Sequence, residues 1–232
     1  MKILSIDSAT EVATCSIIDE NKVLGEISYN YKKQHSVILM PMIDELLENT
    51  GLSIDSIDAF ACSKGPGSFT GLRIGMATLK GLCQGLDKPL ISVSTLDALA
   101  NNMAYTEGVV CPILDALRDN VYTALYEFKN NKLERISEYK IINIDELINS
   151  LESLDKNVIF IGNGLDKFEN KIKNTLSNAV FAPTHLNIVS SSSLGSLAID
   201  LLKKGKKENL LSCSPMYLRK SQAEREYDKK KE

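Results

Sequence analysis

The thirteen residues from Ser63 to Gly75, S-K-G-P-G-S-F-T-G-L-R-I-G, carry the strongest chemical suggestion in the chain. They lie between a strand-like apolar run and a helix-like one, and Gly65, Pro66, Gly67 and Gly71 allow tight turns and close backbone approach. Such a loop at a helix N-terminus cradles an anion on its N–H groups. The equally weighted alternative is a stiff turn whose Gly71 and Gly75, with Ala77 and Gly81 beyond, let the helix pack closely on another helix. The spacing is not that of a G-x-x-x-x-G-K-[ST] loop. Nor is Ser68 a nucleophile elbow, since Pro66 and Thr70 stand where glycines are needed.

Asp7 and Asp115 each close a short apolar run and open a polar hairpin, Asp7-Ser8-Ala9-Thr10 and Asp115-Ala116-Leu117-Arg118. Ligands of open α/β sheets collect at strand carboxyl ends, so the paired placement has a physical motive, although turn hydrogen bonding is the commoner role for either aspartate alone. Metal chemistry is poorly served. His35 and His185 are the only histidines, neither in H-E-x-x-H nor in H-x-x-x-H. Cys15, Cys62, Cys83, Cys111 and Cys213 form an odd set with no C-x-x-C pair, which reads as reduced and buried rather than as a disulfide framework. No serine or cysteine sits in a recognisable catalytic setting.

The elements that would position these residues come in a repeated order. Lys2–Ile6, Val12–Ile18 and Val23–Tyr29 read as a three-stranded meander, and 35–50 switches to helical spacing through Val37, Ile38, Met42, Ile43, Leu46 and Leu47 before Gly51 stops it. A strand at 57–62, a helix at 71–84, a strand at 90–93 and a Ser94-capped helix to Met103 follow. The second half repeats the series: strands at 109–114, 121–128 and 135–142, a helix at 145–151, a strand at 158–161, a helix at 165–176, a strand near 179–181 and a helix at 192–203. Two similar α/β lobes with mixed sheets are expected, residues 1–104 and 105–218, with a charged tail at 219–232.

The 232 residues are 44% hydrophobic and 25% charged with a net charge of −3, the profile of a globular chain with a real core. A pI near 5.6 argues against a freestanding nucleic-acid binder. The basic run Lys203–Lys207 and the mixed-sign tail read as solvated surface. No apolar stretch reaches membrane-spanning length and Met1–Ile6 is too short for a signal-peptide core, so a cytoplasmic location is expected.

The opening I-L-S-I-D-S-A-T from Ile3, His35-Ser36 leading into Leu39-Met40-Pro41, Lys64–Gly75, Val93–Leu96, Val121-Tyr122 and Pro215–Arg219 together resemble the TsaB (YeaZ) family over nearly the whole chain, with G-P-G-S-F-T-G-L-R-I-G the most specific block. The resemblance implies an actin/Hsp70-like (ASKHA) fold of two βββαβαβα lobes. It further implies a non-catalytic partner of TsaD, which transfers a threonylcarbamoyl group to the adenosine beside the anticodon of certain tRNAs. TsaE joins them, and TsaC supplies the activated intermediate. The catalytic paralogue has H-x-x-x-H, whereas here His35 is followed by Leu39, so no metal site is expected.

In the family the first two helices serve both the homodimer and the contact with TsaD. Mapped onto 35–49 and 70–85, the implied interface is His35, Leu39, Met42, Ile43, Gly71, Leu72, Gly75, Met76 and Leu79. Implied candidate nucleotide or anion contacts are Asp7, Ser8, Thr10, Lys64, Gly65, Gly67, Ser68, Asp115 and Arg118. No tightly bound cofactor is expected, with ATP or ADP placed at the junction with TsaD. The family's more usual D-A-R-R-G-E-V-Y reads D-A-L-R-D-N-V-Y from Asp115 here, which leaves Arg118 as the candidate anion contact of that hairpin. The alternatives are a glycoprotease-like peptidase or weak ATPase, and a tRNA-binding module using 203–207 and the tail.

Overall fold

The computed structural model describes residues 1–30 and 34–219. Most of the tail expected at 219–232 therefore lies outside the described residues.

The first half runs β1 (Lys2–Asp7), β2 (Ala13–Asp19), β3 (Val23–Tyr29), α1 (His35–Thr50), β4 (Ala59–Ser63), α2 (Phe69–Leu86), β5 (Leu90–Val93) and α3 (Thr95–Asn101). Its sheet has the order β3-β2-β1-β4-β5, antiparallel across the meander and parallel from β1 through β4 to β5. The second half runs β6 (Val109–Asp115), β7 (Asn120–Thr123), β8 (Tyr126–Lys129), β9 (Lys132–Arg135), β10 (Lys140–Asn143), α4 (Ile144–Leu151), β11 (Val158–Ile161), α5 (Leu165–Thr175), β12 (Ala179–Phe181) and α6 (Ser191–Lys203). Its sheet repeats the pattern as β10-β7-β6-β11-β12, with β8 and β9 off the edge of β6.

The duplicated order expected from the sequence is therefore present, with one correction. Residues 135–142 cover the end of β9 and the start of β10, and residues 121–128 form two strands rather than one, because the chain turns at Ala124-Leu125. There Leu125 bonds across to Ile136 and Ser137, while β7 and β8 pair with different stretches of β6.

Alternation along β1 divides the interior. Leu4 and Ile6 face α1 and α2 together with Phe60, Met42, Met76 and Leu79, whereas Ile3 faces a second core with Ala59, Ala61, Ile91 and Val93. That second core also holds Leu96 and Leu99 of α3, Leu194 and Ala198 of α6, and Val110, Leu114, Ile159 and Ile161 of the other sheet. The halves interlock: α6, from the second half, lies against the first sheet, and α3, from the first half, contacts α6 and β6. Ile113, Phe160, Leu147, Phe168 and Ile172 form a third cluster with α4 and α5 beyond. Among the described residues no helix is long and apolar enough to cross a membrane.

Polar fastenings hold this layering in register. Asp97 on α3 accepts the hydroxyls of Tyr126 at 2.8 Å and Tyr139 at 2.7 Å, fixing α3 to the strands of the second half. At the start of α6, the Glu26 carboxylate on edge strand β3 accepts from the hydroxyls of Ser190, Ser191 and Ser192 and from the Ser192 N–H, all within 3.1 Å. A carboxylate at a helix N-terminus meets both unpaired N–H groups and the positive end of the dipole. Glu26→Gln should lower stability by about 1 kcal/mol. Denaturant unfolding and faster amide exchange in β3 would register the change.

Candidate functional site

The carboxyl ends of β1 and β4 bring Asp7 and Ser63 to one edge of the first sheet, where the Lys64–Ser68 loop turns into α2. The β1–β2 hairpin is pressed into this loop. Ser68 N–H donates to the Ala9 carbonyl at 2.6 Å, and the Ser8 hydroxyl donates to the Gly71 carbonyl at 2.9 Å. A Cβ on Gly67 would strike the Ala9 backbone, one on Gly71 the Ser8 carbonyl, and one on Gly75 the Ser8 hydroxyl. The glycines thus serve neither a second helix nor an anion; they admit the chain's own hairpin. Ser68 caps α2 by accepting from Gly71 N–H at 3.2 Å.

Gly65, with φ of +106°, lies against the Met216 carbonyl. Its own carbonyl accepts from Thr95 N–H, and Met216 N–H donates to the Lys64 carbonyl at 2.7 Å. Residues 205–219 form a strap over this edge. Arg219 at its end donates to the Ala116 carbonyl of the β6–β7 hairpin, so the strap joins the loop to the second aspartate-led turn.

This geometry corrects several candidate anion contacts. Ser8, Gly65 and Gly67 face backbone of the same chain, and the Thr10 hydroxyl accepts from Val12 N–H within its own turn. Asp115 accepts from Leu117 N–H at 2.9 Å, the turn role foreseen as the commoner one, while its own N–H donates to Asn163. Lys64 is half-buried; Ser68 and Arg118 are exposed. Ser8, Gly65, Gly67, Thr10 and Asp115 are thus engaged within the chain, whereas Lys64, Ser68 and Arg118 stand at least partly open. Among the described residues no three His, Cys, Asp or Glu side chains group as a metal clamp requires.

Asp7 is buried yet incompletely bonded. It is fully buried; Oδ1 accepts from Ala9 N–H at 3.2 Å, and Oδ2 has no hydrogen-bond partner among the described residues. Burial pushes its carboxyl up to about 6, tempered by the neighbouring Ser63 hydroxyl, the Ala9 N–H and the charge of His35.

The partner interface also needs correction. Leu39, Met42, Ile43, Met76 and Leu79 are at most 3% exposed and belong to the core under the first sheet, and Leu72, 1% exposed, is buried beside Gly65. Gly71 and Gly75 face the hairpin, where Gly75→Arg would break folding rather than probe a surface, and half-buried His35 bonds through Nε2 to the Thr10 carbonyl at 2.8 Å. The i, i+3, i+4 stripe is the one the sheet takes. What α1 turns outward is Val37, 64% exposed, with Met40 and Pro41; what α2 turns outward is Arg73, Ala77, Gly81 and Gly85. A Cβ on Gly81 or Gly85 meets nothing within 4 Å.

A cluster missed by the sequence reading stands at the head of this stripe. The Arg73 guanidinium lies 3.9 Å over the Phe69 ring, Phe69 stacks on Tyr217 at 4.5 Å, and Arg73 Nε donates to the Tyr217 hydroxyl at 2.8 Å. The four-residue spacing of Phe69 and Arg73 was visible in the sequence; the return of Tyr217 on the strap was not.

The duplicated sheets and interlocking helices place the chain in the actin/Hsp70-like class of α/β folds. The ROK hexokinase of Thermus thermophilus shares that fold at a TM-score of 0.52 and 9% identity, over 88% of this chain and 100% of that one. YeaZ from Pseudomonas aeruginosa is similar at a TM-score of 0.77 and 24% identity, over 94% of this chain and 99% of that one. A family model described as "TsaD: tRNA N6-adenosine threonylcarbamoyltransferase" matches residues 22–227. The tRNA threonylcarbamoyladenosine biosynthesis protein TsaB of Bacillus subtilis is 34% identical over 184 residues, covering 79% of this chain and 80% of its own. That of Escherichia coli is 28% identical over 226 residues, covering 96% of each. The chain belongs to the TsaB (YeaZ) family, and its role lies in forming threonylcarbamoyladenosine in tRNA.

Two measurements probe the edge. Gly71→Ala should destabilise by about 2 kcal/mol or more through collision with the Ser8 carbonyl, while Gly81→Ala, in open space within the same helix, should stabilise by about 1 kcal/mol in unfolding at high dilution. The raised carboxyl of Asp7 means that the native state binds its proton more tightly than the unfolded chain, so stability is lost as pH rises from about 4 to about 6. Asp7→Asn should match the parent near pH 4 and exceed it by up to about 3 kcal/mol at pH 8. Unfolding curves at the two pH values decide.

Proposed function

We propose that this chain acts in threonylcarbamoyladenosine formation as the non-catalytic partner and activator of TsaD. Its outward α1–α2 face is the docking surface, and that face is the observation that carries the reading. Gly81 and Gly85 leave open space on the outward side of α2, as Val37, Met40 and Pro41 stand outward on α1, a surface on which another helix pair packs closely. The internal occupation of the hairpin groups supports a helper rather than a self-sufficient transferase. A nucleotide of the complex then belongs at the junction with TsaD, near exposed Ser68 and Arg118 and half-buried Lys64. TsaE joins that assembly, TsaC supplies the activated intermediate, tRNA reaches this chain only through the complex, and the setting is the cytoplasm. The same face holds the homodimer when TsaD is absent.

Gly81→Arg fills the open stripe without touching the core. Light scattering after size-exclusion chromatography should show the parent chain forming a heterodimer with TsaD. The variant, with a melting temperature no lower than the parent's, should elute separately and fail to stimulate transfer to tRNA. A variant that still binds, or a parent that never binds, would reject the reading.

A further inference from the structure

The end of the second sheet opposite the aspartate-led hairpin carries a cavity of about 320 Å³, within the size range of small-molecule pockets. It opens where the chain passes from α3 to β6 and just before β11, so the length of β6 separates it from Asp115 by about 20 Å. The β8–β9 hairpin forms its remaining side. There Lys129 pairs with Lys132 across the two-residue loop Asn130-Asn131, and both asparagines have left-handed φ, +53° and +60°, which matches the twist of the strands. Tyr105 reaches the cavity from the α3–β6 connection with φ of +65°, a conformation tyrosine rarely adopts, and is 76% exposed.

Three kinds of group line this cavity. The Tyr105 ring stacks on Phe128 with centroids 6.0 Å apart, so the exposed ring is backed by a second one. Buried Glu127 takes Lys129 at 2.5 Å on one carboxylate oxygen and Lys156 at 2.8 Å on the other. An ammonium has three N–H donors and each of these spends one on Glu127. The carboxylate therefore holds two half-exposed cations side by side, with donors to spare and a net positive charge on the trio. Last come the side chains of Glu107, Asn130 and Asn131, none of which has a hydrogen-bond partner among the described residues.

We propose that this cavity binds a nucleoside 5′-monophosphate, with its base on the Tyr105 ring, its phosphate on Lys129 and Lys156, and its ribose hydroxyls and base edge on Glu107 and the asparagine amides. Any base offers a π face to an exposed aromatic ring. A phosphate takes the unspent N–H groups of both lysines as charge-assisted bonds, and the ion pairs to Glu127 have already ordered those side chains, which lowers the cost of binding. An apolar ligand would leave the lysines and amides idle, and an uncharged sugar would leave the lysines idle. The same chemistry is offered by a free nucleotide and by the 5′ end of an RNA. The site is separate from the edge that holds Lys64, Ser68 and Arg118, and it does not depend on the proposed docking face.

Amide NMR titrations of the isotope-labelled chain at low salt test it. AMP should move the signals of Gly108, Phe128 and Asn130 to saturation, with adenosine and ribose 5-phosphate each binding at least about tenfold more weakly. Tyr105→Ala should weaken AMP by about tenfold or more, because the base loses its platform. Lys156→Gln, which keeps a donor for Glu127, should weaken AMP by about three- to tenfold and leave adenosine unchanged. Both variants should keep the spectrum of the folded parent, since both positions are exposed. A 5′-phosphorylated oligoadenylate that binds these residues more tightly than AMP assigns the site to an RNA end; one that binds no more tightly assigns it to the free nucleotide. Failure to saturate at millimolar AMP, adenosine binding as tightly as AMP, either variant binding AMP like the parent, or shifts confined to Lys64, Ser68 and Arg118 would overturn the proposal.

Discussion

The close seat of the β1–β2 hairpin on the first turns of α2 is the constraint from which the site follows. Ser8 reaches the α2 backbone only because positions 67, 71 and 75 carry no side chain. Once the hairpin is there, the rotation of α2 about its axis is fixed: Leu72, Met76 and Leu79 enter the core, and Arg73, Ala77 and Gly81 must turn outward. The same contact encloses Asp7. A buried carboxyl with one unpartnered oxygen opposes folding at neutral pH, so the tightness that orients α2 carries a standing electrostatic cost.

Much of the fold was legible because its signals are periodic and local. The apolar spacing from His35 to Thr50, the Gly51 stop and the Ser94 cap each act within one or two turns, and the duplicated element order needs only that sequence of signals. The site was less legible for two reasons. Period alone finds an apolar stripe but not what covers it, so Leu39, Met42 and Ile43 read equally as core or as interface, and the sheet claims them. The glycines announced a close approach without naming what approaches, since Ser8 lies 63 positions from Gly71 in the chain. Arg73 suffered the same limit through Tyr217, 144 positions away.

The interlocking of the halves explains why a small protein can spare an outer face. Because α3 and α6 lie in a core shared by both sheets, the interior does not need α1 and α2 to be apolar all round. One stripe of each suffices for burial. The opposite stripes are then free to carry glycine, alanine and unpaired charge, residues that add little to the stability of the fold itself. The strap extends this economy, since residues far along the chain brace α2 at Arg73 and Lys80 and leave Gly81 and Gly85 in open space.

A single outward face imposes competition when it serves both a second copy and TsaD. Each heterodimer then requires a free protomer, so homodimerisation lowers the apparent affinity for TsaD by the fraction of chain that is paired, and it does so more strongly as chain concentration rises.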